Sequence, residues 1–245
     1  MKSNYFDLKL KGGQPVAVRY YHKLNYTLHN MKTHEIQLFW NWFYCNEITL
    51  RTLRDQKPQL QKVFIYWLDR HLHNYCEGLD CIIMFPEEPN DKLKLIISAN
   101  GNPEYFDHVI TLAEHAPQFK YWKIVPFIQP STDINKMEVG LDKPYVFKDI
   151  ILKASDLKFM PLEYEDETKI DMIVYLKDFT VHCNNKNLLQ VVFIIMQDLL
   201  GEKSLFQNIN FVELAQMPED GQLELIHLYE LELYLSHINR DSQNS

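Results

Sequence analysis

The chain has 245 residues, of which 46% are hydrophobic and 24% charged, and a net charge of −8. That length supports one or two domains with substantial cores, and the composition excludes disordered, collagen-like and disulfide-scaffold classes. Residues 1–130 carry 15 Lys+Arg against 13 Asp+Glu and residues 131–245 carry 10 against 20. Neither half has the basic stripe that displaces counterions from phosphates, so no nucleic-acid partner is expected.

There are only seven glycines, and Gly12 and Gly13 are the only two within six residues of each other. Phosphate-cradling loops and nucleophile elbows need clustered glycines for positive φ and close backbone approach. The absence of GxGxxG, GxxxxGK[ST] and GxSxG therefore argues against dinucleotide-binding, P-loop and α/β-hydrolase readings. No stretch approaches the ~18 apolar residues of a membrane span, and the first residues lack the apolar run of a secretion signal. The expectation is a cytoplasmic protein, with Cys45, Cys76, Cys81 and Cys183 as reduced thiols.

In chain order, Pro15 to Tyr21 reads as a β-branched, aromatic strand. Thr33 is a plausible N-cap for a helix with Ile36, Phe39, Trp40 and Phe43 at helical spacing. A second helix follows Pro58 with Leu60, Val63, Phe64, Trp67, Leu68, Leu72 and Tyr75 on one side and Gly78 at its end. Leu79 to Phe85 and Leu93 to Ala99 read as a hairpin, and Asn102 with Pro103 opens a helix to Ala116. Tyr121 to Ile128 is a strand whose Pro126 requires an edge or a bulge, and Pro130 to Lys143 reads as a linker.

Beyond it, strands are expected at Ile150 to Lys153, Leu157 to Tyr164 and Ile170 to Tyr175. The acidic run Glu163, Glu165, Asp166 and Glu167 then forms a charged turn. An almost uniformly apolar helix runs from Asn185 to Leu200 and ends at Gly201; a strand (Ile209 to Leu214) and an amphipathic helix (Leu228 to Ile238) follow. The fold class is α+β: two packed halves, 1–130 and 131–245, each a small, mostly antiparallel sheet covered by helices, with ferredoxin-like layers as one form. Each half runs hairpin, helix, strand.

The feature most suggestive of chemistry is Ser98-Ala99-Asn100-Gly101-Asn102-Pro103, polar residues where a strand passes into a helix. Free backbone N–H groups converge at such a corner and could hold a carboxylate or phosphate; equally, Gly101 with positive φ and Asn102 as a cap make an ordinary turn. Glu202 follows a helix C-terminus, an unfavourable place for a carboxylate, which calls for a partner such as Lys203 or a ligand. His71, His73, Cys76 and Cys81 are metal-ligating types without the usual spacing, and no metal or cofactor is expected. Ser98 with Asp107 and His108 or His115, and Cys183 beside His182, have nucleophile-and-base chemistry but no geometry to join them. Trp40, Trp42 and Tyr44 are interface candidates, because one helical face cannot bury every aromatic of this run: Trp42 and Tyr44 either pack against the second half or form a binding surface.

Two stretches carry a resemblance. Ile96 to Phe127, with its strand, Ser-Ala-Asn-Gly turn, helix, Ala-Pro, Trp and strand, and Asp198 to Glu202, a Leu-Gly-Glu helix end, resemble a family of uncharacterised bacterial proteins. The resemblance implies an α+β fold and a bacterial, cytoplasmic setting. It singles out Ser98, Asn100, Gly101 and Glu202 without implying a ligand. The leading expectation is a binding or regulatory module for a protein partner or a second copy of the chain, with no membrane role. The alternative is a small-ligand binder or enzyme using the Ser98 to Asn102 corner.

Overall fold

In a computed structural model of the chain, described for residues 16–86, 88, 90–130, 133–162, 169–219 and 223–241, the first helix is far longer than its apolar periodicity suggests. Helix α1 spans Val16–Arg51, so Val16 to Tyr21 is helical and the expected strand does not form. Helix α2, Pro58–Tyr75, follows a 3-10 turn at Leu53–Asp55. Gln61 stitches this turn, its Nε2 donating to the Leu53 and Gln56 carbonyls at 3.0 Å. Ile36, Phe39, Trp40, Phe43 and Leu50 of α1 and Leu68, Leu72 and Tyr75 of α2 are buried. These helices form one compact unit, Met1–Glu77, and Gly78–Ser245 forms a second. The boundary expected at residue 130 falls inside the second unit.

The second unit opens with strands β1 (Asp80–Met84) and β2 (Leu93–Ser98), helix α3 (Phe106–Glu114) and strand β3 (Trp122–Pro126). The sheet order is β1-β2-β3, with β1 antiparallel and β3 parallel to β2. With no strand from residues 15–21, this layer has three strands and is not ferredoxin-like. β3 is an edge, which suits Pro126 because proline cannot donate to a ladder. Residues 130–143 are more than a linker: they include helix α4 (Ile134–Glu138), whose Met137 is in the core.

A two-stranded ribbon, β4 (Tyr145–Phe147) with β5 (Ile150–Leu152), leads into β6 (Lys158–Leu162) and β7 (Ile170–Leu176). The expected acidic turn at Glu163 to Glu167 lies outside the described residues. Helices α5 (Phe179–His182), α6 (Leu188–Leu200) and α7 (Glu202–Asn208) then cross to β8 (Ile209–Gln216). After β9 (Ile226–His227) the described chain ends in α8 (Leu231–Asp241).

The second sheet runs β8-β7-β6-β9, with β8 parallel to β7 and the other pairs antiparallel. Its core is the buried side of α6, from Leu188 through Val191, Val192, Ile195 and Met196 to Leu199, packed with Phe159, Val174, Leu231 and Leu235. The fold is α+β, with four antiparallel and two parallel strand pairings in three small sheets.

Candidate functional site

The strand-to-helix corner is built by two consecutive left-handed residues, Asn100 at φ 52° and Gly101 at φ 73°. Such a turn leaves several backbone N–H groups pointing inward, a concavity that attracts an anion. The chain fills it with its own carboxylate. Glu202, 1% exposed, accepts from the Ala99 and Gly101 N–H groups on Oε1 at 2.8 and 3.1 Å and from the Ile128 N–H on Oε2 at 3.1 Å. Its own N–H donates to the Ile128 carbonyl at 2.8 Å. A buried carboxylate is tolerable because these donors replace its water.

Gly201 makes this approach possible. Its φ is 75°, and a Cβ there would lie 2.8 Å from Pro130 Cδ and 3.1 Å from the Ile128 carbonyl oxygen. Gly101 is constrained in the same way, because an added Cβ would meet the Phe206 ring at 2.2 Å. Glu202 thus differs from its expected setting. It is the first residue of α7, where the helix dipole favours a negative charge, while Lys203 places its Nζ 5.8 Å from the Phe127 ring centroid.

The other corner residues are tied down as well. Ser98 is buried, and its Oγ accepts the Asn100 N–H at 3.0 Å. Asn100 Nδ2 donates to Asp80 Oδ2 at 2.8 Å, and Asn102 Oδ1 caps the Glu104 N–H at 3.1 Å. The residues that carry the resemblance, Ser98, Asn100, Gly101 and Glu202, therefore meet at one place and close it. Cavities of about 310, 410 and 550 Å³ are lined by other residues.

Two members of the expected catalytic combinations make local contacts. His115 Nδ1 lies 2.8 Å from the Thr111 carbonyl of its own helix, and Cys183 Sγ is 3.4 Å from the Thr180 carbonyl. Among the described residues no group of three His, Cys, Asp or Glu side chains could hold a metal. Cys76 is a buried cap at the end of α2, next to Tyr75, whose hydroxyl is pushed up to about 12 by burial and then by Cys76 and Glu35.

The interface trio separates. Trp40 is buried with Phe39 and Phe43 in edge-to-face ring contacts. Tyr44 is 69% exposed and lies about 200° round α1 from Trp42. Half-buried Trp42 begins a ring ladder. It stacks on His71 of α2 at 4.8 Å between centroids, His71 is 6.2 Å from Trp67, and Trp67 is 5.4 Å from Tyr66. Burial lowers the His71 pKa below its ordinary value, so the ladder favours the neutral ring.

The apolar residues of α2 also divide. Leu68, Leu72 and Tyr75 are buried, while Leu60, Val63, Tyr66 and Trp67 are exposed. At about 100° per residue the exposed four form a second stripe, so the single apolar side expected for this helix is two. Compared with known protein families, with curated proteins and with solved structures, the chain matches none.

Proposed function

We propose that this protein is a binding module that docks a protein partner on the exposed stripe of α2 and its ring ladder. The observation that carries the reading is the run Leu60, Val63, Tyr66 and Trp67, continued through His71 to Trp42. Large apolar and aromatic side chains left in water on a rigid helix pair lose hydration cost when covered, and Trp and Tyr are the usual anchors of such contacts. The helix keeps a full buried face without them, so they are surplus to its own folding. The small-ligand alternative at the Ser98 to Asn102 corner is less well supported, because Glu202 already occupies the N–H groups a ligand would need.

The test places a photo-crosslinking amino acid at Val63 or at Tyr44 in the full chain, expressed in cells. Position 63 is expected to give one defined adduct that disappears with Trp67→Ala, and position 44 none. An adduct with a second copy of the chain would make the partner a homodimer. Identical adduct patterns from both positions, or none from position 63, would overturn the reading.

A further inference from the structure

The second sheet keeps open the end that the first sheet closes. Strands β7, β8 and β9 run in one direction, and a cavity of about 410 Å³ lies at their carboxyl ends beside the start of β6. This is the side of a sheet where crossover loops leave room for ligands, and the volume suits a small metabolite. The walls are fixed by backbone bonds: the Met217 N–H donates to the Leu176 carbonyl at 2.8 Å and the Leu228 N–H to the Leu157 carbonyl at 3.0 Å.

The lining has two kinds of surface. Met217, Pro218, Leu223 and Leu225 supply an apolar wall. The charged residues are Lys158, Lys177, Asp156 and Glu219. Lys177 and Asp156 pair with each other at 3.2 Å, which among the described lining residues leaves one lysine, Lys158, and one carboxylate, Glu219, to face a ligand. His227, directly across from Lys158 in the β6–β9 pairing, also lines the space. Its ring stacks on Tyr229 at 4.9 Å, and it forms a capping box with Glu230, whose Oε2 accepts the His227 N–H at 3.3 Å.

We propose that this cavity binds a small zwitterion, an α-amino acid with an apolar side chain, with Lys158 on its carboxylate, Glu219 on its ammonium group and the wall of Met217, Pro218, Leu223 and Leu225 against its side chain. One free charge of each sign and an apolar surface match such a molecule better than a simple anion, which Glu219 would repel, or a simple cation, which Lys158 would repel. The site is separate from the proposed docking stripe, which belongs to the other compact unit.

The test is calorimetric titration of the full chain with L-leucine, L-methionine and L-phenylalanine, and with two analogues of leucine: 4-methylpentanoate, which lacks the ammonium group, and 3-methylbutylamine, which lacks the carboxylate. Saturable one-site binding of at least one amino acid is expected. For leucine or its closest binding relative, either truncation should weaken binding at least tenfold. Lys158→Met and Glu219→Gln should each weaken amino-acid binding by a similar factor, with unchanged circular dichroism showing that the fold persists. Lys158→Met should not weaken 3-methylbutylamine binding and should strengthen it, because that ligand has no carboxylate to lose and its ammonium group is repelled by Lys158. No saturable binding of any of the three amino acids, or equal binding by the truncated analogues, would overturn the proposal.

Discussion

The two larger sheets of the second unit share a connection and differ in how they finish it. In β1-β2-α3-β3 and in β6-β7-(α5-α6-α7)-β8, a hairpin is followed by a helical crossover to a strand parallel to the hairpin's second member. Each must satisfy the N–H groups freed where that member turns into the crossover. After β2 the acceptor is an ionisable carboxylate from another layer, Glu202, buried and reaching Ala99, Gly101 and Ile128. After β7 it is the neutral amide of Gln216 at the end of the neighbouring strand, whose Oε1 accepts the Thr180 N–H at 3.1 Å and whose Nε2 donates to the Lys177 carbonyl. A charged buried acceptor locks its corner; an exposed amide ties its corner and leaves the adjoining cavity open.

The comparison breaks most directly at Glu202. Replacing it with Ala leaves three N–H groups around a void and should destabilise the protein by about 4 kcal/mol, since each buried donor left without an acceptor costs about 1–3 kcal/mol. Glu202→Gln keeps the volume but turns an NH2 group toward donors, and should cost about 2 kcal/mol. Urea denaturation of the three proteins checks both values. A loss below about 1 kcal/mol for the Ala variant would mean that the corner does not depend on this carboxylate.

Next in size is Gly101→Ala. The residue sits at φ 73° and its Cβ would collide with Phe206, so strain and displacement together should cost about 2 kcal/mol. The contribution from the ring can be isolated: in a Phe206→Ala background the same change should cost about 1 kcal/mol, the backbone share alone. Equal costs in both backgrounds, read from thermal or urea midpoints, would remove Phe206 from the account.

Much of this corner was legible in the sequence, but its closure was not. Positive φ at Gly101 and the Asn102 cap follow from local residue chemistry, while the set Ser98, Asn100, Gly101 and Glu202 comes from the resemblance. That Glu202 is the acceptor follows from neither, because 103 residues separate it from Ala99, and a single sequence carries no record of a pairing at that distance. The strand expected at Pro15 to Tyr21 failed for a different reason. β-branched residues favour strands only weakly, and a helix already extending through Ile36 and Phe43 continues backward through Val16 at small cost in propensity. The ribbon strand β4 and the two-residue β9 are too short for a period to be counted. In α2 the apolar periodicity is helical, but the helix carries more apolar residues than one face can bury.

The neutral clamp provides a smaller test. Gln216→Ala removes two hydrogen bonds at an exposed site, where water can replace the lost partners, and should cost about 1 kcal/mol. Amide exchange at Thr180 should accelerate more than exchange at Gly101 in the same variant. If Gln216→Ala proved as damaging as Glu202→Ala, the proposed contrast between a locked and a merely tied corner would be wrong.

The smallest effect separates backbone from side chain at Asn100. Asn100→Ala loses the exposed bond to Asp80 and puts a residue with a Cβ but no local polar group at φ 52°, for about 1 kcal/mol in all. Asn100→Gly loses the same bond but adopts that φ freely, at the cost of a more flexible unfolded chain, and should fall within about 0.5 kcal/mol of wild type. Asp80→Ala should then cost less in the Asn100→Gly background than in the wild-type chain, because the bond to Asn100 is already gone. If glycine were as costly as alanine, the strain of the left-handed turn would be negligible and the Asp80 bond would be what holds Asn100 in place. Asp80→Ala alone would then lose at least as much, and the left-handed pair that forms the concavity for Glu202 would depend on β1 as well as on its own conformation.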